Sequence, residues 1–277
     1  MEKRTLILDE NDLVTAYHTR VLPALVYIEH TCLVTKSVSA GTGTVIGYQG
    51  NKDEGWLPLI ITAGHVIKNK GGHESHFKLT RYDFSNLEKP TKRTCEFETG
   101  DGGSRSPCGI LYTGPRKDII DIGFIRGVKD CTDGKPFFQG EPFEGTMSIE
   151  DDWYWSAEGD HVAWAGFPSL AATIAGRPQP CYFEGQVSAF IATDDFVTYL
   201  LDGHNTFGVS GGPVWAKRGE NLPRIIGVIS GYHSILHAPQ MPGLVIAVPI
   251  QPVRVFLEQV WGAFGRSKVS QPGSRAM

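Results

Sequence analysis

Residues 208–214 read Gly208-Val209-Ser210-Gly211-Gly212-Pro213-Val214, a serine held between glycines at the head of an apolar, β-prone stretch. Two earlier segments complete a pattern. Ile60-Ile61-Thr62-Ala63-Gly64-His65-Val66 presents one imidazole at the end of an apolar run, and Asp121-Ile122-Gly123-Phe124-Ile125 puts a carboxylate before another. The chain order His, Asp, Ser decides the fold. Gly208 to Gly212 also satisfies the G-x-S-x-G pattern of the α/β-hydrolase elbow, but that elbow needs the order Ser, acid, His and a helix directly after the serine. Here Pro213 lies three residues past Ser210, β-like Val214-Trp215 follows, and only Glu220 precedes His233 and His237. The segment therefore predicts a turn between strands.

Working outward, runs of four to eight strand-forming residues recur at 25–29, 43–48, 57–62, 119–125, 161–167, 182–190, 196–201, 224–230 and 244–249. Glycine-rich turns at 50–55, 100–103 and 114 punctuate them, the mark of a β-sandwich or a pair of barrels. The 33 glycines and 17 prolines of the 277 residues suit many tight turns and show no repeat period. Helical periodicity is confined to the ends. Asn11 caps a short helix with Leu13, Val14, Tyr17 and Val21 on one face, stopping near Pro23. Pro252 opens another, carrying Val253, Phe256, Leu257, Val260, Trp261 and Phe264 and closed by Gly265.

Divided accordingly, the chain is expected to hold an N-terminal helical extension over 1–23, a first barrel over 24–138, a second over 139–250, a helix over 251–265 and a polar tail over 266–277. Lys and Arg number 26 against 30 Asp and Glu, a net charge of −4 without a basic stripe, so neither nucleic acid nor an anionic membrane is expected as partner. No apolar run approaches the roughly 18 residues of a membrane span. The N-terminus offers no signal-peptide core, which predicts a cytoplasmic protein or one that has lost its leader. Five cysteines without a CxxC pair (Cys32, Cys95, Cys108, Cys131, Cys181) are expected to be reduced and buried.

The three segments suit one chemistry. A serine hydroxyl is a poor nucleophile at neutral pH and needs an adjacent base, which His65 supplies by taking the Ser210 proton and later returning it to the leaving group. A carboxylate at Asp121 fixes the imidazole tautomer and stabilises the imidazolium. Asp118 is the alternative orienter, but Asp121 directly precedes the apolar run while Asp118 lies beside Lys117 like a solvated loop charge. The glycines allow the N–H groups of Gly208 and Ser210 to converge as an oxyanion hole. No metal or organic cofactor enters. His73-Glu74-Ser75-His76 lacks the i, i+4 histidines of a helical zinc site, and the Trp153-Tyr154-Trp155 cluster reads as packing.

On these residues the chain resembles the trypsin-like, chymotrypsin-fold serine peptidases, and among them the HtrA-type branch. The resemblance spans roughly residues 25–258. Besides the His65 and Ser210 segments it rests on Gly41-Thr42-Gly43-Thr44-Val45-Ile46, Gly166-Phe167-Pro168, Gly185-Gln186-Val187-Ser188, Ile226 to Gly231 and Leu244 to Ile250. It implies an all-β fold of two six-stranded antiparallel barrels with short terminal helices, and endopeptidase activity through an acyl-enzyme.

It further implies that Ser230, Gly231 and Tyr232 form the edge that pairs with the substrate backbone. His204 would stand at the base of the primary pocket and Gly243 near its wall, an arrangement that favours acidic or polar side chains over Lys and Arg. Two departures matter. Val209 stands where zymogen-activated trypsins carry an aspartate, so no activating cleavage is expected, and the residues after Gln251 are too few for the PDZ module of HtrA proteins. A protein or peptide substrate is implied, with a protein partner expected to restrain or activate the enzyme. The rival reading on the same fold is a catalytically silent module that captures peptides by strand addition.

Overall fold

A computed structural model describes residues 12–51, 55–68, 73–84, 90–99, 110–113, 121–126, 156–192, 197–203, 206–217, 223–234 and 243–250. The architecture is mostly β. In the first half, β1 (Leu25–Cys32), β2 (Val38–Asn51), β3 (Gly55–Thr62), β4 (Ser75–Asp83), β5 (Thr91–Thr99), β6 (Ile110–Thr113) and β7 (Gly123–Arg126) form one antiparallel sheet in the order β5-β4-β1-β2-β3-β7-β6. In the second, β8 (His161–Gly166), β9 (Cys181–Ala192), β10 (Val197–Asp202), β11 (Pro213–Ala216), β12 (Arg224–Ser234) and β13 (Gly243–Pro249) close a six-stranded barrel in the order β10-β13-β12-β11-β8-β9. This is the chymotrypsin-like double-barrel class.

Three details differ from expectation. The first half contains seven strands among the described residues, because β4, β5 and β6 add to the apolar runs visible in the sequence. In β4 and β5 inward residues alternate with polar and charged ones, as in Phe77, Leu79, Cys95 and Phe97 against Lys78, Arg93 and Glu96, so no continuous apolar run marks these two strands. Short helices also interrupt the β-region, α3 (Gly64–Ile67) and α4 (Ser169–Ala175). The N-terminal helix is α1 (Leu13–Ala16), a π-turn (Tyr17–Val21) and α2 (Leu22–Ala24), entered from Asp12; Asn11 and the helix expected at 251–265 lie outside the described residues, as does the boundary expected at 138/139. No helix among the described residues is long and apolar enough to cross a membrane.

One apolar cluster spans the seam between the halves. Leu25, Ile46, Ile61 and Phe124 of the first half join Ala165, Phe167, Trp215 and Val228 of the second, and Leu13, Ala16, Tyr17 and Val21 of the N-terminal segment complete it. Tyr17 stacks on Trp215 at a centroid distance of 6.4 Å, and the Trp215 indole N–H donates to the Leu13 carbonyl at 3.3 Å. Phe167 reaches across from the second barrel onto Tyr27 and Tyr82. Packing at this seam fixes the relative position of the sheet that carries His65 and the barrel that carries Ser210.

Candidate active site

The site grows from the seam. β3 ends at Thr62, buried Ala63 follows, and His65 stands in the single turn of α3. Asp121 lies two residues before β7, which pairs with β3 through Thr62↔Gly123, so the neighbouring strands deliver both side chains to one place. The His65 Nδ1 and Asp121 Oδ2 are 2.6 Å apart, and the His65 backbone N–H donates to Asp121 Oδ1 at 2.7 Å. Gly64 suits this closeness, since a Cβ there would sit 3.0 Å from Asp121 Oδ1 and press on the carboxylate.

A second donor reaches the same carboxylate. Ser230 Oγ donates to Asp121 Oδ2 at 2.6 Å across the seam. Ser230 sits where the register of β12 against β13 slips, Ile229 facing Ala247 and Gly231 facing Ile246, and such a bulge re-aims the residue at its centre. Burial opposes charge on Asp121, but the hydrogen bonds and charge of His65, the Ser230 hydroxyl and the His65 amide outweigh it and hold the carboxyl below its ordinary range. An ionised carboxylate only accepts, so Nδ1 of His65 carries the proton that joins the two.

Ser210 lies on the turn between β10 and β11. Gly211 takes φ +89°, and a Cβ there would fall 1.9 Å from the Thr42 carbonyl oxygen. Only glycine permits that approach. The four carbonyls of residues 207–210 are all held: Phe207 O accepts from the Ser169 N–H at 2.8 Å, Gly208 O from Thr42 Oγ1 at 2.8 Å, Val209 O from the Gly212 N–H at 2.9 Å and Ser210 O from the Thr42 N–H at 2.7 Å. The N–H groups of Gly208 and Ser210 have no acceptor among the described residues. Val209 is fully buried in the core of the second barrel, among Val162, Trp164, Val187 and Val214.

The structure thus brings His65, Asp121, Ser210 and Ser230 to one place between the halves. The Ser210 hydroxyl donates to the Ser230 carbonyl at 3.4 Å, and no hydrogen bond joins it to His65 among the described residues. Gly231 and the backbone of Tyr232 extend β12 beyond the bulge, facing Ile246 and Val245, and the Gly243 backbone pairs with Ser234. His204 and Asp118 lie outside the described residues. His76 is remote from this group, its Nε2 3.4 Å from Glu96 Oε2 on the neighbouring strand, and no cluster of His, Cys, Asp or Glu suited to a metal occurs among the described residues. Cys95 is buried as expected, but Cys32 and Cys181 are partly exposed, being at or near strand ends.

Two residues escaped the reading of the sequence. Ser230 was legible as substrate edge but not as a partner of Asp121, and Thr42 was legible as part of a strand but not as the clasp of the serine turn.

The two β-halves and their topology define a chymotrypsin-like double-barrel protein. Among solved structures the chain is similar to a thermostable serine protease, AL20, from an extremophilic microorganism, at 15% identity over 82% of this chain and 91% of that one, with a TM-score of 0.52. The Rv3671c protease of M. tuberculosis in its active form aligns at 15% identity over 95% of this chain and 87% of that one, with a TM-score of 0.48. At such identity the likeness concerns the fold. No family model and no curated protein matches the chain.

Proposed function

We propose that the protein is a trypsin-like serine endopeptidase, HtrA-like in its sequence pattern, with Ser210 as nucleophile, His65 as general base and Asp121 as its orienter. The observation that carries this reading is the His65–Asp121 pair, reinforced by Ser230, beside a glycine-flanked serine whose turn has two N–H groups without acceptors among the described residues. Ser210 Oγ attacks the scissile carbonyl as His65 Nε2 takes its proton, and the Gly208 and Ser210 N–H groups receive the oxyanion. His65 then protonates the leaving amine, and water releases the acyl group. Catalytic hydrogen bonds are commonly loose without substrate, so a rotation about χ1 that takes the Ser210 hydroxyl from the Ser230 carbonyl to His65 belongs to this account.

The substrate is a protein or peptide segment laid beside Ser230, Gly231 and Tyr232 as an added strand. With Val209 buried among apolar side chains, no ammonium group has a partner at that position, which supports activity without N-terminal cleavage.

The Ser210–Ser230 hydrogen bond favours one rival, a silent peptide-binding module. Labelling by a fluorophosphonate probe separates the two. The peptidase reading expects labelling of the wild type and its loss in Ser210→Ala; a folded wild type that takes no label and cleaves no casein overturns it.

A further inference from the structure

We propose that Ser169 is a positioning residue of the oxyanion hole: its backbone amide holds the Phe207 carbonyl and so sets the direction of the Gly208 N–H. This deepens the serine-peptidase reading and rests on it. The argument begins with peptide geometry. The bond between Phe207 and Gly208 is trans, as are all those described, so its C=O and N–H point in opposite directions. Phe207 O accepts from the Ser169 N–H at 2.8 Å; the Gly208 N–H is therefore turned away from α4, and it has no acceptor among the described residues. Rotation of this one peptide would replace the donor with a carbonyl and repel a developing oxyanion.

The two peptides of the hole differ in how they are held. The Ser210 N–H belongs to the 209–210 peptide, whose carbonyl is bound within the turn by Gly212. The carbonyl of the 207–208 peptide accepts from the neighbouring Thr206 hydroxyl at 3.2 Å and, more closely, from the N–H of Ser169, almost forty positions earlier in the chain. Contact at this point is close: a Cβ on Gly208, which has φ +95°, would lie 2.3 Å from the Phe167 carbonyl oxygen and 3.1 Å from Ser169 Oγ. Phe167 in turn is wedged into the seam, its N–H donating to Thr42 Oγ1 at 3.1 Å. The latch is thus anchored in Phe167, whereas α4 itself contains no buried residue.

Ser169 can be tested cleanly. It is the first residue of α4, a position where proline is tolerated, and Pro168 has φ −59° and ψ 133°, the conformation a residue before proline prefers. Ser169→Pro removes the N–H and places a methylene against the Phe207 oxygen. With 4-nitrophenyl acetate as probe, the variant is expected to lose about 10²- to 10³-fold in kcat, the usual effect of losing one oxyanion donor. KM is expected to stay within about threefold, and the pH of half-maximal rate, which reports His65, is expected to stay in place.

Amide exchange of the wild type gives a second measurement that needs no variant. The Ser169 amide should be protected and the Gly208 amide unprotected, until a fluorophosphonate on Ser210 protects Gly208 as well. A wild-type Ser169 amide that exchanges freely, a kcat for Ser169→Pro within about threefold of wild type, or a loss confined to KM overturns the latch. A wild type that shows no acylation and takes no phosphonate instead overturns the peptidase reading, and this role with it.

Discussion

At the scale of single residues, the carboxylate of Asp121 is the most constrained group of the site, with three donors on two oxygens. If it orients His65 as proposed, Asp121→Asn should lower kcat for 4-nitrophenyl acetate by about 10⁴, as in the serine protease template; near-full activity would move the role to Asp118. Its depressed pKa also makes a statement about stability. A carboxyl whose folded pKa lies below its unfolded value of about 4 stabilises the fold above that value, and the contribution disappears as pH falls through the folded pKa. Urea unfolding between pH 7 and pH 3 should therefore show wild type losing stability more steeply than Asp121→Asn on the acid side. Thiols differ as sharply. Hydrogen bonds from the Thr35 region and the charge of Lys36 lower the Cys32 thiol pKa, whereas Cys95 is fully buried. Iodoacetamide should modify Cys32 in the folded protein well before Cys95, as peptide mapping by mass will show.

At the scale of elements, the serine turn is supported from the first half of the molecule by one strand position. Thr42 on β2 uses its N–H, its hydroxyl and its carbonyl at once, to Ser210, to Gly208 and Phe167, and to Thr62. Thr42→Val keeps the shape but leaves the Gly208 carbonyl and the Phe167 N–H without partners, and each buried group so orphaned costs about 1–3 kcal/mol. The expected result is a lowered urea midpoint and slower phosphonylation of Ser210, with Thr42→Ser restoring both. The N-terminal segment is equally integral. Tyr17 is buried against Trp215 and Tyr182, so Tyr17→Ala should cost about 3–5 kcal/mol, the range for truncating a large buried aromatic ring, read from denaturant unfolding.

For the whole molecule, the seam is where stability and function meet, because the apolar cluster that joins the halves also includes the N-terminal segment. Removal of residues 1–24 should therefore inactivate the protein and lower its Tm, the opposite of an activating cleavage; a gain in phosphonate labelling after such a cut would contradict the seam's role. The sequence alone carried the His65, Asp121 and Ser210 segments, their order and the strand-rich class, since each is local: a glycine-flanked serine, an imidazole after an apolar run, a carboxylate before one. Apolar runs likewise marked β1, β3, β8 and β12. The strands β4 and β5 stayed hidden because polar and charged residues alternate with their buried ones, and α4 because it buries nothing and so has no periodicity to show. Only the tertiary structure decided that Ser230 bonds Asp121, that Thr42 clasps the serine turn and that Ser169 holds the Phe207 carbonyl. These are contacts between residues far apart in the chain, made by strand register, a bulge and the docking of two barrels. No local pattern of residue types encodes such alignments, because they follow from how the whole core packs.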